Sequence, residues 1–290
     1  MRVVFKIIFI DVNRVFWIVQ HMLHTTDMLN EVNSILFQTT KVPGFLCFMI
    51  RRHIFRNYTK MSSKQYQKLP KLVVFDVDEC LLSPDSYLIQ TAPNPDLIIK
   101  ADLNGKGVGI SGAILPPNNS AGPDKNTRPW DTPFSDKDEI YKLFPGALQA
   151  LQLHHSNNYP NTRFSLASSS VNNFTVSCIH SVLQILEVVP GVTILDVLNK
   201  NWSKDVIENK SHLQIGRSGK LSSDKSATHF PILKEVSGVE YDEMLFFDDC
   251  TWEDHCEIVP RYCPGVVTQR TPKGLQVDEW EAALEKFEKS

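Results

Sequence analysis

From residue 72 onward, short unbroken apolar runs alternate with stretches whose apolar residues recur every three or four positions. Strands buried on both faces need no polar side, whereas crossover helices bury only one stripe, so this alternation is the pattern of a parallel α/β sheet. The runs LVVF (72–75), RFSLA (163–167), VTIL (192–195), MLFF (244–247) and GVV (265–267) predict five strands. Phe174, Cys178, Val182 and Ile185 mark one helix, and Val277, Trp280, Leu284 and Phe287 mark a C-terminal helix packing back on the sheet. Another helix is expected to start at Asp224, a good N-cap, and to stop at Gly238, with Pro231 shortening or kinking it. The expected fold class is α/β: a three-layer Rossmann-like parallel sheet.

Residues 101–134 differ in kind, being rich in Gly, Pro and Asn with no helical period. Asn104-Gly105 lies between the apolar runs 97–99 and 108–110, which predicts a hairpin followed by an irregular loop. A loop this long in a compact domain is functional or disordered, and this one comes soon after an acidic cluster that it is placed to overhang. The expected organisation is an N-terminal extension over residues 1–60 and a domain over residues 61–290, interrupted by a flap insertion at about 84–137.

Charge sharpens that division. Residues 1–60 hold eight Lys/Arg against Asp11, Asp27 and Glu31, a balance of +5, so a net charge of −3 leaves −8 on residues 61–290. Gripping nucleic acid needs a basic face, so no nucleic-acid partner is expected. MRVVFKIIFIDVNRVFWIVQ is apolar but broken by Lys6, Asp11 and Arg14, short of the ~20 apolar residues a membrane span needs, so no stable membrane insertion is expected. A small-residue cleavage site is missing too. The stretch, with RRHIFR at 51–56, reads either as an organellar transit peptide or as a dispensable leader ahead of Met61. The expected location is cytoplasmic, or organellar (mitochondrial or plastid) under the transit-peptide reading.

Six cysteines are present, and two of them come after acidic clusters at strand ends, which favours reduced, intracellular thiols. Cys250, His255, Cys256 and Cys263 cluster without a C-x₂-C pair, which argues against a zinc site. Sharper chemistry stands where the strands end. In an open α/β sheet ligands bind beyond the carboxyl ends of the strands. Asp76 and Asp78 come after the first strand, Ser168, Ser169 and Ser170 after the second, and Asp248 and Asp249 after the fourth, with Lys225 ahead of the helix leading into that strand. Two acidic pairs facing one crevice make an oxygen-rich site of the type a hard cation such as Mg²⁺ prefers.

These ordered motifs resemble the haloacid dehalogenase superfamily, most members of which are Mg²⁺-dependent phosphatases working through an aspartyl-phosphate. FDVDECLLSP, LFPGALQAL, LASSS, DKSATHF and MLFFDDCTWED are similar to the magnesium-dependent phosphatase-1 group, and the likeness spans about residues 70–290. It implies an essentially capless fold with a flap, and a phosphorylated small molecule such as a sugar phosphate, or a phosphoprotein, as substrate. It also implies roles. Asp76 would be the nucleophile, and Asp78 the general acid and then base, its carbonyl also reaching the metal. Ser168 and Ser169 would bind phosphate, together with Lys225. Asp249 would ligate Mg²⁺ directly, and Asp248 through water or by orienting its neighbours. The chain departs from the group in Cys80, in Leu82-Ser83 before Pro84, in Ser169 where Arg often stands, in Glu253 where Asn often stands, and in one extra residue between Lys225 and His229. Lys220 therefore stays open as the alternative lysine. A silent phospho-ligand-binding module and a phosphatase docked to a partner through its insertion are the rival readings.

Overall fold

A computed structural model describes residues 66–86, 92–93, 98–100, 111–114 and 140–290. All of them lie in the compact unit Ser63–Ser290. The transit-peptide or leader reading of residues 1–60 falls outside the described residues.

The central sheet has five strands: β1 (Leu72–Phe75), β6 (Arg163–Ser168), β9 (Leu213–Ile215), β10 (Met244–Asp248) and β11 (Val267–Arg270). They pair parallel throughout, in the order β11-β10-β1-β6-β9. The reason LVVF carries no polar residue is now visible. Val73 and Phe75 join a core on one face with Phe164, Leu166, Leu245, Phe247 and Trp280. Leu72 and Val74 join a second core on the other face with Phe230, Leu233, Phe246 and Val259. All four residues of β1 are fully buried, each large side chain contributing roughly 1.5–3 kcal/mol.

Helices cover both faces: α1 (Pro145–His155), α2 (Asn173–Ile185), α3 (Ile194–Leu198), α4 (Lys204–Glu208), α5 (His229–Ser237), α6 (His255–Tyr262) and α7 (Val277–Glu288). The C-terminal α7 is anchored by Trp280, whose ring stacks on Phe247 at 5.4 Å. Phe247 in turn stacks on Phe75 at 5.5 Å. Helix α1 approaches the start of α7 so closely that a Cβ on Gly146 would lie 2.2 Å from the Gln276 carbonyl oxygen.

Three expectations are corrected. VTIL is not the third parallel strand. Val192–Thr193 is β8, pairing antiparallel with β7 (Glu187–Val189), and the chain then turns at once into α3. The cause is a capping box: Thr193 Oγ1 accepts from Asp196 N–H at 3.2 Å, while Thr193 N–H donates to Asp196 Oδ2 at 2.8 Å. The third strand of the sheet is β9. The fifth strand is shifted from 265–267 to Val267–Arg270. Helix α5 begins at His229 rather than near Asp224, and Gly238 ends it in the left-handed region as expected. Pro231 sits in its first turn, where a backbone N–H has no helical partner, so the helix runs through it without penalty.

Two strands within the insertion, β3 (Ile98–Lys100) and β4 (Ser111–Ile114), join the two that flank it, β2 (Leu82–Ser83) and β5 (Ile140–Leu143), in a second, antiparallel sheet of order β2-β5-β4-β3. Strands β3 and β4 pair antiparallel with Ile98 opposite Ala113, so a hairpin forms as expected, but its described second strand is Ser111–Ile114, past the 108–110 run the sequence offered. The turn expected at Asn104-Gly105 lies outside the described residues, as does most of the irregular loop. Among the described residues no helix is long and apolar enough to cross a membrane.

Candidate active site

Parallel register places β1, β6 and β10 side by side, so the residues just past Phe75, Ala167 and Phe247 meet at one edge of the sheet. Asp76 N–H donates to the Phe247 carbonyl at 2.8 Å, extending the pairing one residue past the strand. The chain then tightens: Leu81 and Leu82 N–H groups donate to the Val77 carbonyl, and Glu79 takes φ 52 in the left-handed region. On β10 the same happens after Asp248. Cys250 takes φ 58, and its N–H donates to Asp248 Oδ1 at 2.8 Å.

Lys225 closes the site. Its Nζ lies 2.6 Å from Asp76 Oδ1 and 2.6 Å from Asp248 Oδ2, and the residue is only 2% exposed. The turn that delivers it is built by Asp224. The Asp224 carboxylate, instead of capping a helix, accepts from Ser226 N–H at 2.9 Å, Ser226 Oγ at 2.6 Å and Ala227 N–H at 3.3 Å. Lys220 stands exposed in the preceding loop, so Lys225 is the lysine the fold brings to the carboxylates.

One carboxylate oxygen each from Asp76, Asp248 and Asp249 lies within 4.8 Å of the others. The charges do not balance. Burial pushes the Asp76 carboxyl well above its ordinary range, and the repulsion of Asp248, Asp249 and Asp78 adds to it, against the pull of Lys225. Asp249 is raised as well, by burial first. The two carboxylates hold the Lys225 ammonium charged, raising it despite burial. One ammonium among three packed carboxylates leaves net negative charge in a desolvated place, and an all-oxygen donor set of this kind fits a hard divalent cation.

Asp78 is handled differently. Its carboxylate is outside that cluster and accepts from Ser86 N–H at 2.9 Å and Ser86 Oγ at 2.8 Å. Burial, with the nearby Asp85 charge, raises it to about 7, against the lowering effect of the Ser86 hydrogen bonds. Ser86 was invisible to sequence reasoning because no motif marks a hydrogen-bond donor eight residues from its acceptor.

Ser168 ends β6 buried, its carbonyl accepting from Gly216 N–H at 2.8 Å and His229 Nε2 at 3.1 Å. His229 is fully buried, and burial lowers it to about 4, so it is a neutral packing residue of the helix start. The Ser169 carbonyl accepts from Arg217 Nε at 2.6 Å. Ser170 Oγ bonds Thr175 Oγ1 at 2.5 Å beside Asn172, which caps α2 by accepting from Thr175 N–H. Asp254, in the loop after Asp249, caps α6 by accepting from Glu257 N–H at 3.1 Å. Cys80, Cys178, Cys250, Cys256 and Cys263 are free thiols; Cys250 and Cys256 approach the Asp248 carbonyl, whereas Cys263 faces Ser226.

Two comparisons bear on this arrangement. A search of curated proteins returns no match. Residues 119–290, more than half of the chain, match the protein family described as Acid Phosphatase. The matched segment carries Ser168, Lys225, Asp248 and Asp249, while Asp76 and Asp78 precede it and reach the same crevice through β1. With the parallel sheet, the buried lysine and the aspartate cluster at its open edge, the match identifies the chain as a member of the acid phosphatase family, phosphomonoester hydrolases of the haloacid dehalogenase type.

Proposed function

We propose that this chain hydrolyses phosphomonoesters with Mg²⁺ through a covalent phosphate on Asp76, and that the working unit is residues 61–290 with the flap at about 84–137. The observation that carries the reading is the bridge of Lys225 between Asp76 and Asp248 at 2.6 Å each, with Asp249 completing the cluster. The Asp76 carboxylate attacks phosphorus as the ester P–O bond breaks. Asp78 gives its proton to the departing alcohol oxygen. It then takes a proton from water as that water attacks the acyl phosphate, releasing phosphate and restoring the Asp76 carboxylate. A carboxyl raised to about 7 suits both halves of that cycle near neutral pH. Lys225 offsets the charge of the nucleophile and the phosphoryl oxygens, and Ser168 and Ser169 at the end of β6 bind those oxygens.

Asp76, Asp249 and the Asp78 carbonyl would hold Mg²⁺, with Asp248 orienting them. Bound there, the ion supplies positive charge to the transferring phosphoryl group, whose displacement depends mainly on positioning and electrostatics. The substrate is a phosphorylated small molecule or a phosphoprotein. Turnover of phenyl phosphate by the full chain, with Mg²⁺ or with excess chelator and in wild type or Asp76→Asn, tests the reading. Hydrolysis that needs both the ion and Asp76 supports it. Hydrolysis indifferent to Asp76→Asn rejects it.

A further inference from the structure

Beside the phosphoryl-binding strand end stands a lip that the hydrolytic chemistry leaves without a task. Gly216, just past β9, takes φ 113, a conformation that L side chains rarely adopt. Its N–H bonds the Ser168 carbonyl at 2.8 Å. A Cβ there would lie 3.1 Å from Val176 Cγ2, so the first turn of α2 presses directly on this bend. The next residue, Arg217, is exposed, and its Nε donates to the Ser169 carbonyl at 2.6 Å. That one bond pins the guanidinium against the end of β6 and leaves its terminal N–H groups available to another acceptor. Among the described residues no carboxylate pairs with it.

Two apolar side chains stand on the same lip. Val171 is 57% exposed and Phe174 42% exposed, on either side of the Asn172 cap that comes after Ser168–Ser170. Scattered apolar residues on a surface are ordinary, but these come two and five residues after Ser169, whose carbonyl holds the cation. Strand spacing gives the scale. β9 is the second strand from β1, across β6, so the Arg217 backbone stands about 10 Å from the Asp76 strand while its guanidinium reaches back to the end of β6. With Lys225, Ser168 and Ser169 assigned to the transferring phosphoryl group, a cation held on the β9 side of β6 is placed for the far end of an aryl or short-chain alcohol.

We infer that Arg217 is a specificity-determining residue that receives a second anionic group, carboxylate or phosphate, carried on the alcohol portion of the ester, with Val171 and Phe174 contacting the carbon skeleton between. The guanidinium suits such a group because it offers paired donors in a fixed plane. The inference rests on the phosphatase reading of the crevice, since it assumes that the phosphoryl group sits at Asp76 and the alcohol points outward.

The test is calorimetric titration of the full chain, in Mg²⁺, with benzylphosphonate and with 4-(carboxymethyl)benzylphosphonate, neither of which is hydrolysed. Wild type binds the carboxylate ligand about tenfold more tightly, and the ratio falls toward one in Arg217→Met. Arg217→Lys keeps part of it, because charge survives while the fork is lost. Arg261→Met, which removes the same charge from an exposed pair with Glu257 on α6, keeps the ratio. Equal ratios in wild type and Arg217→Met overturn the proposal. Equal weakening of both ligands also overturns it, since Arg217 would then act only by holding Ser169. Loss of phenyl phosphate turnover would strike the phosphatase reading instead, while the binding ratio still decides Arg217.

Discussion

Replacing Lys225 with Met removes the cation seated between Asp76 and Asp248, and the cost can be worked from the geometry. At 2.6 Å each contact gives roughly 6 kcal/mol of attraction at an effective dielectric of about 20. Burying the ammonium offsets several kcal/mol of that total, and breaking a buried pair from one side leaves a net loss of about 3–5 kcal/mol. In a domain of this size that lowers the melting temperature by roughly 6–20 °C. The assay is urea unfolding of wild type and Lys225→Met in chelator, at near-neutral and at mildly acid pH. Asp76 has a folded pKa above its unfolded value, so its protonation stabilises the fold, and that contribution fades as pH rises through the folded pKa. Lys225 pulls that pKa down, so without it Asp76 rises further, the variant gains more from protonation, and its deficit shrinks as pH falls. A loss below about 1 kcal/mol at both pH values would refute the reasoning, because the lysine would then not be neutralising buried charge.

Three further outcomes are expected. Asp78→Asn should slow first-turnover release of phenol from phenyl phosphate by about 10²–10⁴-fold while sparing first-turnover release of dinitrophenol, whose leaving group needs no proton; equal losses in that first release would remove Asp78 as the acid. His212 is buried and bonded to Asn199, and burial lowers it to about 4, so its contribution to stability is present above its unfolded pKa of about 6.5 and lost as pH falls from there toward 4. Asp78, raised to about 7, works in the opposite sense over that window, so the difference between wild type and His212→Gln isolates the histidine, at up to about 1.4 kcal/mol per pH unit; a difference that does not vary with pH would contradict this. Gly146→Ala should destabilise the fold by about 1–3 kcal/mol in thermal or urea unfolding, because the new methyl meets the Gln276 carbonyl; a neutral variant would mean that α1 can step away from α7.

Runs buried on both faces were the most legible part of the fold. LVVF and MLFF mark β1 and β10 because no polar residue interrupts them, and the acidic pairs at their ends mark the crevice. VTIL misled because apolar composition does not separate a short ribbon from a helix start. The T-x-x-D box at Thr193 and Asp196 was the signal that would have resolved it. β9 was missed because three residues with Gln214 at their centre make a weak strand pattern, although all three are buried. Asp224 read as a helix cap because Asp serves caps and turns alike, and only the structure shows it shaping the turn that aims Lys225. Spacing along the chain favoured Lys225 but left Lys220 open as the alternative, and burial separates them. Ser86 and Arg217 bond residues eight and 48 positions away, Asp78 and Ser169, and no local pattern marks either contact.

The covalent step is the centre of the account, and it is directly observable. The full chain, mixed with phenyl phosphate and Mg²⁺ and quenched in acid during turnover, would be digested and its peptides examined by mass spectrometry. A phosphoryl group on the peptide bearing Asp76, removed by hydroxylamine and missing in Asp76→Asn, is the predicted result. Continued turnover with no phosphoryl group on that peptide, and with Asp76→Asn as active as wild type, would contradict it.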